Sequence, residues 1–526
     1  MIDKSHGRFW AFNMQQILNY SKELGNHTIS AMIGHENYKR NTASLYAGAS
    51  NMFSTDLLEL AGAINDGTGS SSKNGYNTEG YFGRLEYNYG GKYYVDASYR
   101  RDASSRFHPD NRWGNFWSLG AAWVMTNEDF MSNTSNWLDM LKIKLSYGSQ
   151  GNDGIGNFLY TDLYNLQSAG GAISTVLASK GNKNITWETN SNLNAGVEFS
   201  VFNGRLSGDI DFFYRKTSDM LFSRPVAPSL GYSSYMDNIG DMHNTGLEFN
   251  ITGDIIRTKN VTWSARVSGT TYKNVIDKLP PEKMIDGGYV SGDYWRTEGG
   301  SIYDWYMRSY AGTNEQGEAL YYKKEMVDVK NEKGETIGQE WNGNLLTTTD
   351  FNAADKLEIG KTSIPDLFGG FGTTVTFYGF DFSANFTYAI GGWAFDYGYM
   401  RTMSSPSMGG GNNIHVDVLK SWTPDNMSQD YPRYYYNDLY TASYSDRFLT
   451  KASYLNLQNL NLGYTIPAQW TKKLSIEGLR IYLSCENVFY WSKRKGFDPR
   501  QSFGGMTNDT LYSPLRVISG GINFRF

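Results

Sequence analysis

Apolar and polar residues alternate along much of the chain. Residues 193–201, LNAGVEFSV, carry an apolar residue at nearly every second position, and the alternation resumes over residues 205–215 after Asn203-Gly204. A period of two is typical of β-strands whose two faces meet different surroundings, and Asn-Gly is a strong signal for a hairpin turn. The sequence therefore predicts a β-hairpin over these residues. Its apolar face is predicted to carry Ala195, Val197, Phe199, Ile210 and Phe212, and its polar face to carry Glu198, Asp209 and Asp211.

The same period of two recurs from one end of the sequence to the other. Further runs lie at 83–89, 94–100, 141–148, 247–251, 261–269, 380–388 and 479–487. In all, the pattern predicts about fifteen long strands. The longer runs reach about nine to eleven residues, which is the length that a tilted strand needs to cross a bilayer. Strands of soluble proteins average about five or six residues, so the pattern favours transmembrane strands.

The predicted connections alternate between short and long. Short turns at Gly90-Gly91, Asn203-Gly204 and Tyr378-Gly379 are interspersed with long polar segments, rich in Gly and Asn. The long segments lie near 38–77, 150–189, 273–366 and 391–450. This is the layout of outer-membrane barrels, which have short periplasmic turns and long external loops. The expected fold is therefore all-β, an antiparallel transmembrane β-barrel.

The polar faces of the predicted strands carry charges of both signs, among them Arg84, Glu86, Lys144 and Asp211. A dry core could not hold so many charges without partners, whereas a water-filled lumen can. The alternative is a soluble protein of two sheets with one solvated face. Strand length and the aromatic content of 15% argue against it.

Composition limits the remaining possibilities. The 526 residues carry a net charge of −5, which gives no sign of a nucleic-acid partner. Cys485 is the single cysteine, so an internal disulfide is excluded. Mean hydropathy is −0.51, and the sequence contains no run of about 18 apolar residues that would form a membrane helix. Low hydropathy is compatible with a barrel, because its strands place apolar residues only at alternate positions.

The last residues of the chain form a further alternating strand. The sequence from Ser519 to Phe526 resembles the C-terminal signal by which outer-membrane barrels are recognised for assembly. In that resemblance Gly521, Phe524 and Phe526 occupy the glycine position and the two aromatic positions of the signal. The two rings are expected to lie at the periplasmic interface, where aromatic girdles are found.

Several stretches resemble the SusC/RagA family of TonB-dependent outer-membrane transporters. The matching blocks are residues 81–123, 137–153, 365–392, 453–467 and 485–500. The resemblance implies a barrel of about 22 strands, an N-terminal plug and a TonB box. It also implies a SusD-like surface lipoprotein as partner, energy coupling to the TonB complex, contact with outer-membrane lipid, and oligosaccharide or peptide substrates. The expected function is nutrient uptake across the cell outer membrane.

The sequence departs from the family pattern at its start. It shows no signal peptide, no plug segment and no TonB box before the first strand, which is expected to start near Arg8. About fifteen strands are also fewer than the family barrel requires. We therefore expect residues 1–526 to be the C-terminal part of the barrel, with the TonB connection made by the missing N-terminal part. A passive porin-like channel, which needs no plug, is the alternative function.

The sequence shows little sign of chemistry. The six histidines are scattered, and there is no HExxH, Walker A or GxSxG motif. We therefore expect no catalytic, metal or cofactor site, and an enzyme anchored by a barrel is not supported. The protein is expected not to be an enzyme.

Two aromatic-rich segments are the best candidates for substrate contact. Residues 292–306 and 431–440 lie in predicted loops and could offer flat ring faces to sugars. Packing within loops or at the membrane interface explains the same residues, since Tyr and Trp favour interfaces. The substrate-binding residues are therefore unknown from the sequence alone.

Overall fold

The computed structural model describes residues 1–64, 67–284, 287–405, 413–438, 440–471, 475–508 and 511–526. The chain divides into two compact units. Unit 1 comprises Met1–Phe199, Asp211–Asn244 and Asp277–Met284, and unit 2 comprises Ser200–Ile210, Thr245–Ile276 and Ile285–Phe526. Among the described residues, helices are too short or too polar to cross a membrane.

Strands account for most of the structure. They are β1 (Ile2–Leu24), β2 (His27–Ala49), β3 (Thr68–Tyr89), β4 (Tyr93–Ser104), β5 (Trp113–Val124), β6 (Leu138–Asn152), β7 (Leu163–Ala169), β8 (Ala172–Ser179), β9 (Glu188–Val201), β10 (Leu206–Ser218), β11 (Leu221–Pro225), β12 (Ser234–Asn238), β13 (Asp241–Arg257), β14 (Val261–Lys278), β15 (Gly288–Ser291), β16 (Tyr294–Thr297), β17 (Asp304–Arg308), β18 (Tyr310–Thr313), β19 (Ala319–Lys330), β20 (Thr336–Thr348), β21 (Lys356–Thr362), β22 (Pro365–Phe377), β23 (Phe380–Gly391), β24 (Trp393–Phe395), β25 (Leu449–Lys451), β26 (Tyr454–Ile466), β27 (Gly478–Ser492) and β28 (Val517–Arg525). Among the described residues, the α-helices are the short α1 (Tyr397–Thr402) and α2 (Ala468–Thr471).

The long strands form one sheet. Its order is β1-β2-β3-β4-β5-β6-β9-β10-β13-β14-β22-β23-β26-β27-β28. This 15-stranded sheet confirms the prediction of about fifteen long strands. Paired strands run antiparallel, as in the ladders β1–β2, β2–β3 and β27–β28. Neighbours in the sheet are also neighbours among the long strands in the sequence, which is the arrangement of an up-and-down meander.

The predicted alternation of faces is present in the strands. On β3, Tyr81 and Leu85 are about half exposed, at 49% and 52%. Arg84 and Glu86 point to the opposite face, where they pair with each other at 2.7 Å. One face of the strand is therefore apolar and exposed, and the other carries paired charges.

The predicted hairpin at 193–215 shows the same division. Val197 and Ile210 belong to the exposed apolar residues, at 38% and 47%. Glu198 pairs with Lys142 at 3.5 Å, and Asp211 pairs with Lys144 at 3.3 Å. The polar face of this hairpin is thus held by ion pairs to β6.

The turn geometry supports the predicted short connections. Tyr378 and Gly379 join β22 to β23 with φ of 45° and 92°, which is the left-handed pair that a two-residue hairpin requires. The turn at Asn203-Gly204 is longer than predicted, because β9 ends at Val201 and β10 begins at Leu206. Phe202 also adopts a left-handed φ of 59° there, so an aromatic residue takes a turn position that usually favours Gly or Asn.

The prediction of a long polar loop near residues 38–77 is wrong. Strand β2 continues to Ala49 and β3 begins at Thr68, so only the residues between them connect the two strands. Likewise β1 begins at Ile2 rather than near Arg8. The sequence hides these extensions because apolar and polar residues do not alternate regularly there, while backbone hydrogen bonding between strands does not depend on side-chain polarity.

The other long connections contain secondary structure of their own. The segment near 150–189 holds the hairpin β7–β8, and 273–366 holds two small sheets, β15-β16-β17-β21 and β18-β19-β20. The segment near 391–450 holds α1 and the pair β24–β25. These connections therefore contain small sheets, a hairpin and a short helix, and are not extended loops.

Candidate functional site

The long connections of unit 2 share a hydrophobic core, which we call the loop cluster. Its buried residues are Trp305, Met307, Phe395, Tyr399, Met403, Val418, Ala442, Phe448 and Leu449. Trp305, Phe395 and Phe448 are at most 1% exposed. Burial of each such side chain stabilises the structure by roughly 1.5–3 kcal/mol. The loop cluster therefore gives a fixed frame for polar groups above the sheet strands.

Helix α1 carries a charged pair at its start. The Asp396 carboxylate accepts a hydrogen bond from the Tyr399 backbone N–H at 3.0 Å, which caps the helix. Its other oxygen, Oδ2, lies 3.1 Å from Nε of Arg494. These two atoms are buried and make no hydrogen bond within the described residues, so their contact is an ion pair. Arg494 thereby connects the β27–β28 connection to α1.

Tyr399 links this pair to a second carboxylate. Its hydroxyl donates a hydrogen bond to Asp417 at 2.9 Å, and the Arg494 guanidinium carbon lies 3.3 Å from the centroid of its ring. Asp417 also pairs with Lys420 at 2.7 Å. The His415 ring accepts a hydrogen bond from the Asp417 backbone N–H at 3.1 Å. The result is a connected polar network on the edge of the loop cluster.

Burial changes the ionisation of these groups. It raises the pKa of the Asp396 carboxyl above its ordinary value, and it raises the pKa of Tyr399. Burial opposes the ionisation of Asp498 as well, but hydrogen bonds from Arg500 outweigh it and hold the Asp498 pKa below its ordinary value. The Arg500–Asp498 distance is 2.7 Å. Asp498 is therefore a firmly charged group near Asp396.

A cavity of about 350 Å³ opens beside this network. It is lined by Asp396, Gly398, Arg401, Thr402, Asn413, Gly496, Phe497, Asp498, Gln501, Thr507, Asn508, Leu511 and Ser513. Carboxylate, amide, hydroxyl and guanidinium groups share this lining with the apolar side chains of Phe497 and Leu511. Its size falls within the range of small-molecule sites, about 300–1,000 Å³. The cavity is large enough to hold a small solute and presents both polar and apolar groups.

The aromatic segment 292–306 serves mainly in packing. Trp305 is in the core of the loop cluster, and Tyr294 packs against it with ring centroids 5.0 Å apart. Trp295 stacks on Tyr306 at 4.9 Å. Burial also raises the pKa of Tyr294 to about 12. These contacts support the loop-packing interpretation for this segment.

The segment 431–440 is divided between packing and exposure. Tyr431 and Tyr434 pack against the loop cluster, whereas Tyr435 and Tyr436 are 66% and 74% exposed. Leu439 lies outside the described residues. Two adjacent rings of this segment are therefore available to a solute.

The residues of the predicted assembly signal lie on and directly after β28. Phe524 and Phe526 stack with ring centroids 6.2 Å apart and are 55% and 82% exposed. Gly521 pairs with Tyr482 of β27, and a Cβ at position 521 would lie 2.5 Å from that ring. Gly521 thus makes room for Tyr482. Recognition of these residues in assembly remains a prediction.

The described part of the chain contains no group of three or more His, Cys, Asp or Glu residues able to hold a metal ion.

The Asp396–Arg494–Tyr399 network was not predicted from the sequence. The sequence does contain a signal for the helix cap, because Asp is a favoured N-cap residue and Asp396 directly precedes α1. Its pairing with Arg494 had no sequence signal, because the two residues come from different connections.

Long antiparallel strands with an exposed apolar face and an ion-paired polar face define the chain as a β-barrel protein of the outer-membrane type. The family model for the TonB dependent receptor-like β-barrel matches residues 3–488. The chain belongs to this family, which confirms the predicted barrel fold and the predicted family resemblance.

Named relatives agree with this assignment. The chain is 28% identical to TonB-dependent receptor P3 of Formosa agariphila, over 97% of this chain and 52% of that protein. It is 30% identical to TonB-dependent receptor SusC of Bacteroides thetaiotaomicron, over 81% of this chain and 41% of that protein. The structure is similar to that of the RagAB peptide transporter, with a TM-score of 0.85 and 28% identity over 99% of this chain and 56% of that one. The chain thus spans about half the length of these relatives.

Proposed function

We propose that this chain is the barrel portion of an importer in the bacterial outer membrane, which takes up oligosaccharides or peptides with energy supplied through TonB. The observation that carries the proposal is the family match over residues 3–488. The similarity to the RagAB peptide transporter, at a TM-score of 0.85, supports it. Membership in a TonB-dependent family favours driven import over the passive porin-like channel.

The proposed partners follow from the same relationship. A SusD-like surface lipoprotein would capture the solute and deliver it to the loop cluster. The TonB complex would act through an N-terminal part of the transporter, and the barrel exterior would contact outer-membrane lipid. The resemblance to SusC and to RagAB supports these partners. The expectation that residues 1–526 form only part of the barrel stays a proposal.

We propose the polar cavity and the two exposed rings as solute contacts. The cavity offers the exposed side chains of Arg401 and Ser513 to the hydrogen-bonding groups of a solute. The buried Asp396 and Asp498 carboxylates form part of its wall and are paired with Arg494 and Arg500. Tyr435 and Tyr436 offer flat apolar faces with a polar hydroxyl, which suits amphipathic solutes such as sugars and peptides. The RagAB structure belongs to a peptide transporter, so peptides are the first solutes to test.

Uptake measurements in the host test the proposal. A strain without the gene should lose uptake of the labelled peptide or oligosaccharide that the intact strain imports. Changing Tyr435 and Tyr436 together to Ala should lower uptake several-fold, because both ring faces are lost. Changing both to Phe is the matched control, since it keeps the faces and should keep most of the uptake. Unchanged uptake across a panel of both solute classes in the deletion strain would refute the proposal.

A further inference from the structure

A group of cations lies on the apolar face of the first strands. Cross-strand partners share a face, and Tyr81, which is exposed on that face, pairs with Arg101 of β4. Four residues before Tyr81 on β3, Asn77 pairs with Lys39 of β2. A further four residues back, Lys73 pairs with Ala43, which in turn pairs with Arg8 of β1. All four cations therefore point outward with Tyr81. We call them, together with Arg112, which immediately precedes β5 and lines a cavity with Lys39, the basic rim.

Two aromatic levels define the position of the basic rim along the strands. Tyr89, Tyr93 and Trp123 form one level, with successive ring centroids 6.4 and 6.5 Å apart. His35, Tyr81 and Trp113 form the other, at 4.7 and 6.2 Å. On β3 the levels are separated by about 26 Å of strand, or about 20 Å along the membrane normal at a usual tilt of roughly 40°. This approximates the apolar band of a barrel, which is about 25 Å tall and flanked by aromatic girdles.

The basic rim begins directly above the second level, toward the long connection between β2 and β3. Arg101 lies over the Trp113 ring at 5.1 Å, and Lys39 lies over the Trp10 ring at 5.9 Å. Arg101, which is stacked on the upper girdle, is at the depth where lipid headgroups meet water, and Lys39 pairs with Asn77, four residues farther along β3. The location at the end with long connections corresponds to the outer leaflet.

The cations of the basic rim lack carboxylate partners. Within the described residues, the ion pairs of the chain include none of Arg8, Lys39, Lys73, Arg101 and Arg112. Glu79 lies on the same face, but it accepts a hydrogen bond from Tyr81 at 2.8 Å and pairs with His35 at 3.4 Å. On the opposite face of the same strands, by contrast, Arg100 pairs with both Glu36 and Asp102. The cations of the basic rim are therefore free of ion pairs to carboxylates within the described residues, and the four on the outward face can meet an external anion.

Two cavities lie among these cations. One, of about 460 Å³, is lined by Lys39, Arg112 and Trp113 among others, and Nε of Arg112 is buried without a hydrogen-bond partner in the described part of the chain. The second, of about 380 Å³, is lined by Arg8, Trp10 and Lys73 among others. A buried guanidinium donor beside a cavity with free cations indicates a site for an oxyanion.

We propose that the basic rim binds the phosphate groups of an anionic glycolipid in the outer leaflet. The lipid is favoured over a free anion because the apolar face continues directly below Arg101, so that one molecule can place acyl chains on the band and phosphates on the part of the rim that borders it. Arg side chains bind phosphate through paired, charge-assisted hydrogen bonds. The inference rests on the proposed location in an outer membrane.

Lipid binding by the protein purified from outer membranes tests the inference. After exchange into detergent, the protein is offered a phosphorylated glycolipid or its dephosphorylated form, and bound lipid is counted by native mass spectrometry. The phosphorylated form should bind and the dephosphorylated form should not, and added salt should weaken binding. The triple variant Lys39→Gln, Arg101→Gln, Arg112→Gln should lose about tenfold or more in affinity, since charge-assisted contacts are removed. The control triple Lys22→Gln, Arg205→Gln, Lys259→Gln, at the short-turn ends of strands, should bind as the unchanged protein does.

The alternatives give different results. Equal binding of both lipid forms to the unchanged protein would overturn the proposal, and so would unchanged binding in the rim variant. Displacement of the lipid by millimolar inorganic phosphate alone would also overturn it, because it would mark a site for a free anion. These measurements on the unchanged protein hold even if the rim variant fails to assemble. Absence of the protein from the outer-membrane fraction would instead refute the proposed function.

Discussion

The guanidinium carbon of Arg494 lies 3.3 Å from the centroid of the Tyr399 ring. The same side chain reaches the buried Asp396 carboxylate at 3.1 Å. Arg494 follows β27, whereas Tyr399 and Asp396 belong to the connection between β23 and β26. One side chain therefore holds two connections of unit 2 together through a cation–π contact and an ion pair.

Removal of this cation should loosen the loop cluster. In Arg494→Met the Asp396 carboxylate, 8% exposed as a side chain, would stay buried without its cation, which costs about 3 kcal/mol. Hydrogen exchange of the backbone amides in α1 should rise accordingly. Adding Asp396→Asn to Arg494→Met should recover part of the loss, because the uncompensated charge is gone. Equal exchange in Arg494→Met and the unchanged protein would show that the pair does not stabilise α1.

The lipid-facing assignment of the β9–β10 hairpin predicts a strong dependence on face. An Arg at Val197, if that residue lies near the midplane, should cost roughly 2–4 kcal/mol of folding free energy in lipid vesicles. Asn194→Arg, on the opposite face of the same strand, should cost much less, since water can solvate the charge there. Asp209→Asn should also cost little. The reverse order of these costs would overturn the assignment of the faces.

The terminal aromatic residues should matter for assembly more than for stability. Phe524→Ala combined with Phe526→Ala should lower the fraction of protein that becomes folded in the outer membrane, measured by heat-modifiable mobility in gels. Ile518→Ala is the matched control, because Ile518 is on the same face of β28 and is 67% exposed, yet lies outside the aromatic positions of the signal. Equal losses in both variants would indicate a general loss of apolar area instead.

Acid should open the β27–β28 connection through Asp498. Because its pKa in the folded state is below the ordinary 3.8, the Arg500 pair contributes stability above pH 3.8 that is lost as the pH falls through the folded-state value. The raised pKa of Asp396 acts in the opposite direction, so the comparison is between the unchanged protein and Asp498→Asn. Hydrogen exchange, corrected for its intrinsic pH dependence, should show acid opening that is weaker in Asp498→Asn. Identical profiles would contradict the role of the pair.

The strands were predictable because their two faces meet different environments, which gives an alternation of apolar and polar residues. Val197 and Glu198 alternate between an apolar and a polar face, and such alternation is visible in the sequence. This alternation is absent where both faces of a strand are in contact with water. Strand β3 from Thr68 to Asn77 is therefore missed, although its backbone pairs with β2 in the same register.

The loop cluster was not predictable for a different reason. Its contacts, such as Trp305 against Trp393 and Arg494 against Asp396, depend on how connections distant in sequence fold over one another. Aromatic residues in segment 292–306 have the same composition whether they pack or bind. The contacts of each ring in the structure distinguish these roles, which composition does not.

Energy dependence of uptake tests the account most directly. Cells that express the protein are given the labelled solute, and its concentration in the periplasm is compared with that in the medium. The measurement is made with and without a protonophore that collapses the membrane potential. The account predicts uphill accumulation that stops when the potential is collapsed or when the gene for TonB is deleted. Uptake that runs only downhill and is unaffected by either treatment would contradict the account and identify a passive channel.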